Sequence, residues 1–237
     1  MKKFLLLFII STTLSFAQDV KTTFTYLVHK PNKLNKHTPI LIVMHGYQAS
    51  ELDLFEFSKE VGKDYLIFSL QAPLVTKSGG YCWFDLQFLP NQKFKYDYKQ
   101  TEEARNKVLA FIRAACLAYK TDSTNVFLLG FSQGAAMAYD IAVKAPEKIK
   151  GIVALSGVLI PETYSGKINE AALTKVKVFV AHGTADNIVN INDSQKSVEF
   201  LKSKKIENIS YTTYDVGHSF HPNEVKDILN WLEKNKK

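Results

Sequence analysis

The sequence predicts an α/β fold in which a mostly parallel central sheet carries helices on both faces. Apolar segments of strand length alternate with amphipathic segments along almost the whole chain, and no internal repeat or flexible linker interrupts them. Several of the short segments are continuously apolar, which is typical of parallel strands buried on both faces. The 237 residues fit one domain of this class, and a hydrophobic content of 46% is enough to build its core.

The first half of the chain contains three predicted strands and one predicted helix. Residues 24–29 form an early strand, 40–44 a solid apolar run that fits a fully buried strand, and 65–70 a further apolar strand. Apolar residues near helical spacing predict a helix over 51–62. The connection 73–90 is rich in glycine and aromatic residues and is too long to be a plain turn.

The second half continues the same alternation. Residues 101–119 place their apolar side chains on one face of a predicted helix. Further strands are predicted over 126–129, 149–155, 176–181 and 209–214, and further helices over 133–143, 191–203 and 223–235. We expect no large lid domain.

The first 17 residues have the pattern of a signal peptide. A charged start precedes an apolar run over residues 4–10, and residues 15–17 (Ser-Phe-Ala) supply the small residues that a signal peptidase requires. The apolar segment is too short for a stable membrane span, although an uncleaved anchor is the alternative. We therefore expect a secreted or periplasmic mature domain over 18–237, with no stable membrane span once the signal peptide is removed.

The formal net charge of +7 comes almost entirely from lysine, because Arg105 and Arg113 are the only arginines. Nucleic-acid interfaces favour clusters of arginine, so we interpret the charge as a solvated surface and expect no nucleic-acid partner. Cys82 and Cys116 would lie in an oxidising compartment. The sequence leaves open whether they form a disulfide or are two separate buried thiols.

The segment Gly130-Phe131-Ser132-Gln133-Gly134 lies between a predicted strand and a predicted helix. G-x-S-x-G in that setting is typical of a sharp turn that presents a nucleophilic serine. Glycines two residues away on each side keep side chains from colliding with the sheet and the start of the helix. Ser132 is therefore the candidate nucleophile, and a purely structural Gly-Ser turn is the alternative.

A serine hydroxyl needs a base to take its proton and an acid to orient that base. His218, between the last strand and the last helix, is the candidate base, and His221 is its rival. Asp186 directly follows the strand 176–181, at the sheet edge where parallel α/β folds place their sites. Asp215 is the competing acid, but it lies only three residues before His218.

An ester hydrolase also needs two backbone N–H groups for the oxyanion. Gln133, at the start of the helix after the serine, and Tyr47, after the strand 40–44, are the candidates. Trp83 and Tyr81 are candidates for lining the substrate pocket, although an aromatic cluster is equally consistent with a core. The sequence contains no zinc, dinucleotide or Walker motif, so we expect neither a metal nor a cofactor.

Five segments together resemble the phospholipase/carboxylesterase family of α/β-hydrolases, the small serine esterases related to acyl-protein thioesterases. They occur in the family's order and span nearly all of the mature chain. These segments are HGY at 45–47, YCWFD at 81–85, GFSQGAAM at 130–137, HGTADNIV at 182–189 and GHSF at 217–220.

The resemblance implies roles for the residues selected above. Ser132, Asp186 and His218 would be nucleophile, acid and base, in the chain order of α/β-hydrolases. Tyr47 and Gln133 would be the oxyanion donors, and Trp83 would border the substrate groove. One departure from the family pattern follows Tyr47, where this chain has Gln48-Ala49 and many members continue H-G-x-G-D. The family pattern therefore does not define the shape of the oxyanion loop and acyl pocket in this chain.

These features predict a secreted or periplasmic serine hydrolase that acts on carboxylic esters through an acyl-enzyme. The substrate would be a small-molecule or polymer-attached ester, with acyl length and alcohol undetermined. A peptidase or acyltransferase with the same triad is one alternative. A noncatalytic binding module with this fold is the other.

Overall fold

A computed structural model describes residues 20–90 and 92–236. The signal peptide predicted over residues 1–17 lies outside the described residues. The strands are β1 (Tyr26–His29), β2 (Ile40–Met44), β3 (Leu66–Leu70), β4 (Leu74–Val75), β5 (Tyr81–Cys82), β6 (Leu86–Leu89), β7 (Lys93–Tyr96), β8 (Val126–Phe131), β9 (Gly151–Leu155), β10 (Lys177–Gly183) and β11 (Ile209–Tyr214). The helices are α1 (Phe55–Val61), α2 (Tyr98–Tyr119), α3 (Gln133–Lys144), α4 (Glu170–Leu173), α5 (Ile191–Ser203) and α6 (Pro222–Asn235).

A seven-stranded sheet organises the molecule, in the order β1-β3-β2-β8-β9-β10-β11. β1 pairs antiparallel with β3, and all the other neighbours in this sheet pair in parallel. The predicted mostly parallel sheet is therefore confirmed. Because parallel strands end at one edge, the segments that follow β2, β8, β10 and β11 all leave from that edge.

Each face of the sheet has its own apolar core, because successive strand residues point to opposite faces. In β2, Ile40, Ile42 and Met44 belong to one core, whereas Leu41 and Val43 belong to the other. Helices α2, α3 and α5 contribute to the first core, and α1 and α6 to the second. The prediction of helices on both faces is confirmed, and no large lid domain covers the sheet within the described residues.

The long connection after β3 holds structure that the sequence prediction did not resolve. β4 and β5 pair as a two-stranded ribbon, and β6 and β7 pair as an antiparallel hairpin. Lys and aromatic residues alternate along β7, a pattern of period two that could have indicated a strand. This hairpin projects beside the carboxyl edge of the large sheet, where it contributes to the site described below.

Helix boundaries differ from prediction where caps decide them. α2 begins at Tyr98, because the Asp97 side chain accepts a hydrogen bond from the Gln100 N–H and caps the first turn. The first helix covers only Phe55–Val61, and the residues before it form turns. Across the described ranges, none of the helices combines the length and the apolar character that crossing a membrane requires.

Candidate active site

Ser132 lies on a sharp turn between β8 and α3, with φ of 55° and ψ of −114°. The two glycines that flank it permit this turn. A Cβ on Gly130 would be 2.1 Å from the Gly134 carbonyl oxygen, and a Cβ on Gly134 would be 2.0 Å from the Met44 carbonyl oxygen. The positive φ of Ser132 is a strained backbone conformation, and the space at positions 130 and 134 admits only glycine. This is the turn that the G-x-S-x-G pattern predicts.

His218 and Asp186 are joined by a hydrogen bond. His218 Nδ1 lies 2.8 Å from Asp186 Oδ2, and the Asp186 side chain is fully buried while that of His218 is 17% exposed. The His218 ring packs 4.9 Å from the ring of Phe131, next to the serine. His218 and Ser132 line the same cavity, and Nε2 of His218 has no hydrogen-bond partner among the described residues. That nitrogen is therefore available to the serine hydroxyl.

The Asp186 carboxylate is held by four donors. Its Oδ1 accepts hydrogen bonds from the N–H groups of Ile188 and Val189, both at 2.9 Å. Its Oδ2 accepts a hydrogen bond from His218 Nδ1 and also lies 3.3 Å from Nε2 of His182. Burial alone would raise the pKa of the Asp186 carboxyl, but the hydrogen bonds from His182 and His218 outweigh it and hold that pKa well below its usual range.

The rival residues have other positions. His221 is the N-cap of α6, where its Nδ1 accepts a hydrogen bond from the Asn223 N–H at 3.1 Å. Its ring stacks on Tyr214. The Asp215 carboxylate accepts a hydrogen bond from the Thr184 hydroxyl at 3.4 Å. The structure therefore brings Asp186 to His218. His221 and Asp215 make their hydrogen bonds with other residues, Asn223 and Thr184.

Tyr47 and Gln133 face the same cavity as Ser132. Gln133 is the first residue of α3, and N–H groups in the first turn of a helix have no partner within the helix. Within the described ranges, neither the Tyr47 N–H nor the Gln133 N–H donates to a protein acceptor. Two such N–H groups at the cavity that Ser132 lines, one of them at the positive end of a helix, have the chemistry that a developing oxyanion requires.

A chain of buried hydrogen bonds holds the loop that carries Tyr47. The Gln133 side chain accepts from the Trp83 N–H at 2.9 Å and donates to the Phe84 carbonyl at 2.6 Å. Trp83 Nε1 donates to the His45 carbonyl at 2.9 Å, and His45 Nε2 accepts from the Ala72 N–H at 3.0 Å. Sequence reasoning missed these support roles, since each bond depends on loops that are distant in sequence.

Trp83 and Tyr81 do not line the cavity beside Ser132, which favours the core reading of both residues over the pocket reading. Trp83 is fully buried, packs 5.6 Å from the His45 ring and does not line the cavity. Tyr81 is half-buried, and its backbone N–H and carbonyl bond with Ala49 and Gln48 in the loop after β2. Both residues support the loop after β2 on the side away from the cavity. β5 pairs with that loop through Tyr81, and the Trp83 indole N–H donates to the buried His45 carbonyl.

The cavity beside Ser132 and His218 measures about 190 Å³. Hairpin β6–β7 supplies much of its wall, and Phe88 from this hairpin remains 59% exposed while its ring packs 6.1 Å from that of Tyr47. The side chains that make the wall apolar are Phe84, Leu86, Phe88, Phe94, Tyr96 and Ala136. The catalytic candidates therefore meet an apolar, mainly aromatic surface.

Neither cysteine belongs to this cavity. Cys82 and Cys116 are both buried free thiols, and burial raises the pKa of the Cys82 thiol to about 11. Residues 20–90 and 92–236 contain no group of three or more His, Cys, Asp or Glu side chains arranged to hold a metal ion. The cavity presents the Ser132 hydroxyl and the His218 imidazole, and the Asp186 carboxylate binds that imidazole at Nδ1.

Comparisons with known proteins show the family of the chain. Residues 28–236 match the family model described as Phospholipase/Carboxylesterase. Acyl-protein thioesterase 1 of Debaryomyces hansenii is 31% identical over 169 residues, which cover 68% of this chain and 72% of that relative. Acyl-protein thioesterase 1 of Yarrowia lipolytica is 27% identical over 211 residues, which cover 84% of this chain and 92% of that relative.

The fold is also similar to that of solved structures. The carboxylesterase of Bacillus cereus superposes with a TM-score of 0.79 at 20% identity, over 91% of this chain and 96% of that chain. The match to the family model spans most of the chain and includes the serine turn, the aspartate and the histidine. The chain belongs to the phospholipase/carboxylesterase family and is a serine ester hydrolase.

Proposed function

We propose that this enzyme hydrolyses carboxylic esters through an acyl-enzyme formed on Ser132. The observation that carries the proposal is the 2.8 Å bond between His218 Nδ1 and Asp186 Oδ2, at a cavity that Ser132 also lines. The bond fixes the imidazole tautomer, so that Nε2 is the basic nitrogen on the side of the serine.

In the acylation step, the Ser132 oxygen attacks the carbonyl carbon of the ester while His218 Nε2 takes the hydroxyl proton. The carbonyl electron pair moves onto oxygen, and the N–H groups of Tyr47 and Gln133 stabilise that oxyanion. The Asp186 carboxylate stabilises the imidazolium. When the intermediate collapses, the bond to the alcohol oxygen breaks and His218 returns its proton to the leaving alcohol.

Deacylation repeats these steps with water. His218 Nε2 takes a proton from the attacking water, the same two donors stabilise the second oxyanion, and the proton passes to the Ser132 oxygen as the acid leaves. A thioester would follow the same course with a thiol as leaving group. Similarity to proteins named acyl-protein thioesterase supports including thioesters among the substrates to be tested.

The cavity wall favours an uncharged acyl or aryl group. Its side chains from hairpin β6–β7, among them Phe88 and Phe94, offer apolar surface, and each buried methylene of an acyl chain contributes about 0.8 kcal/mol. We expect kcat/KM to rise from acetyl to butyryl esters. An octanoyl and a feruloyl ester then test whether the open side of the cavity admits longer or aromatic groups.

The proposed enzyme acts outside the cytosol, as a secreted or periplasmic protein. The support is the signal-peptide pattern over residues 1–17, which predicts a mature chain that begins at Gln18. Expression of the full chain in a bacterial host, followed by fractionation and N-terminal sequencing, tests this proposal. A cytosolic protein that keeps its original N-terminus would contradict it.

A fluorophosphonate probe tests the nucleophile. We expect the wild-type protein to be labelled on Ser132 and to hydrolyse p-nitrophenyl butyrate. Ser132→Ala should lose both reactions while keeping its thermal midpoint. Ser203→Ala, at an exposed serine near the end of α5, is the matched control and should behave as wild type. A folded wild-type protein that neither reacts with the probe nor hydrolyses any ester of the panel would refute the proposal.

A further inference from the structure

The carboxylate of Asp186 is shared by two imidazoles. His182, the penultimate residue of β10, lies with its Nε2 3.3 Å from Asp186 Oδ2, and both side chains are fully buried. The same nitrogen lies 2.9 Å from the Val189 carbonyl oxygen. His218 reaches the same Oδ2 from the loop after β11. One oxygen therefore accepts from the candidate base and from a second histidine that does not line the cavity.

The contacts of His182 fix its protonation pattern. A carbonyl oxygen and a carboxylate oxygen can only accept, so Nε2 must carry the hydrogen that both of them receive. The other ring nitrogen, Nδ1, is buried without a hydrogen-bond partner among the described residues. Protonating Nδ1 would bury an N–H without an acceptor, which is unfavourable. The geometry therefore places the ring hydrogen of His182 on Nε2 and leaves Nδ1 without one.

We propose that His182 is a positioning residue that limits how strongly Asp186 holds the catalytic base His218. By donating to Oδ2, it takes up part of the carboxylate's accepting capacity. By donating to the Val189 carbonyl, it also holds the turn whose N–H groups bind Oδ1. His182 thus contacts the carboxylate on the buried side, whereas His218 binds it on the side that faces the cavity. This inference rests on the proposed function of His218 and Asp186.

Ionisable groups face His182 from the segments packed against β10. Asp186 faces it from the loop after β10, and His218 shares that carboxylate from the loop after β11. Glu224, in the first turn of α6, also interacts electrostatically with His182. Because Glu224 also closes the capping box of α6, the variants below leave it unchanged.

His182→Leu removes the donor, and His182→Gln keeps one, because a glutamine amide can place its N–H near the position of Nε2. With one imidazole fewer, the carboxylate holds the protonated form of His218 more strongly. We expect the acid limb of the kcat/KM profile of His182→Leu to move to higher pH by roughly half a unit to one unit. We expect kcat to fall on the order of tenfold with KM almost unchanged, because the base is less well placed.

The Gln variant should restore the wild-type pH profile and most of kcat. His37→Leu, at an exposed histidine in the turn before β2, is the control and should match wild type throughout. A merely structural role for His182 would lower the thermal midpoint of the Leu variant without moving its acid limb. That result, or equal profiles for the Leu and Gln variants, would overturn the proposal.

A measurement on the unaltered protein tests the tautomer even where the Leu variant fails to fold. Nitrogen-15 NMR of the histidine-labelled wild type should assign the hydrogen of the His182 ring to Nε2. An Nδ1–H tautomer would overturn the proposal. This spectrum does not depend on turnover, so its failure is distinguishable from failure of the Ser132 test.

Discussion

Replacing Trp83 with phenylalanine separates a structural role from a substrate-binding role. Trp83 Nε1 donates to the His45 carbonyl at 2.9 Å, and both residues are buried. Phenylalanine keeps an aromatic ring but cannot donate. The His45 carbonyl, two residues before the candidate oxyanion donor Tyr47, would then be buried without its partner.

The expected loss of stability follows from two contributions. A buried carbonyl left without its donor costs about 1–3 kcal/mol. The smaller ring leaves a void in a fully buried position, which adds about 1 kcal/mol. The free energy of unfolding should therefore fall by about 2–4 kcal/mol, which for a domain of this size lowers the thermal midpoint by roughly 5–15 °C.

The same change should slow the reaction for every ester alike. Loss of one oxyanion donor typically costs about a hundredfold to a thousandfold in kcat, so a displaced but present Tyr47 N–H should cost less, on the order of tenfold. Thermal unfolding should be measured together with kcat and KM for acetyl, butyryl and octanoyl p-nitrophenyl esters. We expect the ratios of kcat/KM between these esters to stay at their wild-type values.

Phe88→Ala is the matched control for Trp83→Phe. Phe88 lines the cavity and is 59% exposed, so its loss should alter the preference among acyl groups and leave the thermal midpoint within a few degrees of wild type. If Trp83→Phe instead keeps the wild-type midpoint and changes acyl preference, the tryptophan contacts substrate. The support role argued from its indole N–H would then be refuted.

Three further changes test other parts of the structure. Gly134→Ala would place a Cβ 2.0 Å from the Met44 carbonyl oxygen, so the variant should lose fluorophosphonate labelling and fold poorly by circular dichroism; normal labelling would contradict this geometry. Asp186→Asn should stay folded and lose about 10⁴-fold in kcat, measured with p-nitrophenyl butyrate, because the amide favours the wrong tautomer of His218; a loss below about tenfold would exclude Asp186 as the acid. Burial raises the pKa of Glu224 to about 7, so the folded protein binds this proton more tightly than the unfolded chain and stability falls as pH rises from about 4.5 to about 7. Glu224→Gln keeps a side-chain acceptor for the His221 N–H and should be more stable than wild type by about 1–3 kcal/mol near pH 8; identical urea midpoints there would contradict the shift.

Much of the fold was predictable because local sequence and tertiary environment agree. Runs such as Ile40–Met44 are apolar at every position, and a strand buried on both faces requires that pattern. The serine turn was predictable for a related reason. Glycine is required at 130 and 134, because a Cβ at either position would lie about 2 Å from a backbone carbonyl oxygen.

The sequence left a residue's role open where its type fits two environments equally well. Trp83 and Tyr81 lie in a long connection rich in glycine, and nothing local indicates whether such rings face a cavity or a core. The second contact of Asp186 was equally hidden, because the position of His182 depends on how residues 186–189 turn back toward β10. Hairpin β6–β7 was missed because its strands are short and only β7 alternates clearly.

The structure separates the groups that carry out the reaction from the surface that meets the acyl group. Ser132 is tied to the large sheet, because its N–H donates to the Leu155 carbonyl oxygen of β9 at 2.8 Å. Gln133 and the loop after β2 are joined by buried hydrogen bonds that involve Trp83 and His45. The cavity wall, in contrast, comes largely from a two-stranded hairpin that keeps Phe88 exposed. The hairpin touches the triad through Gln92 at its turn, whose side-chain amide donates to the Asp186 carbonyl oxygen at 3.2 Å. Substitutions of its cavity-lining side chains, such as Phe88 and Phe94, can change the shape of the cavity and leave that bond in place. We therefore expect acyl preference to respond to the hairpin, and the rate of the chemical step to respond to the buried network.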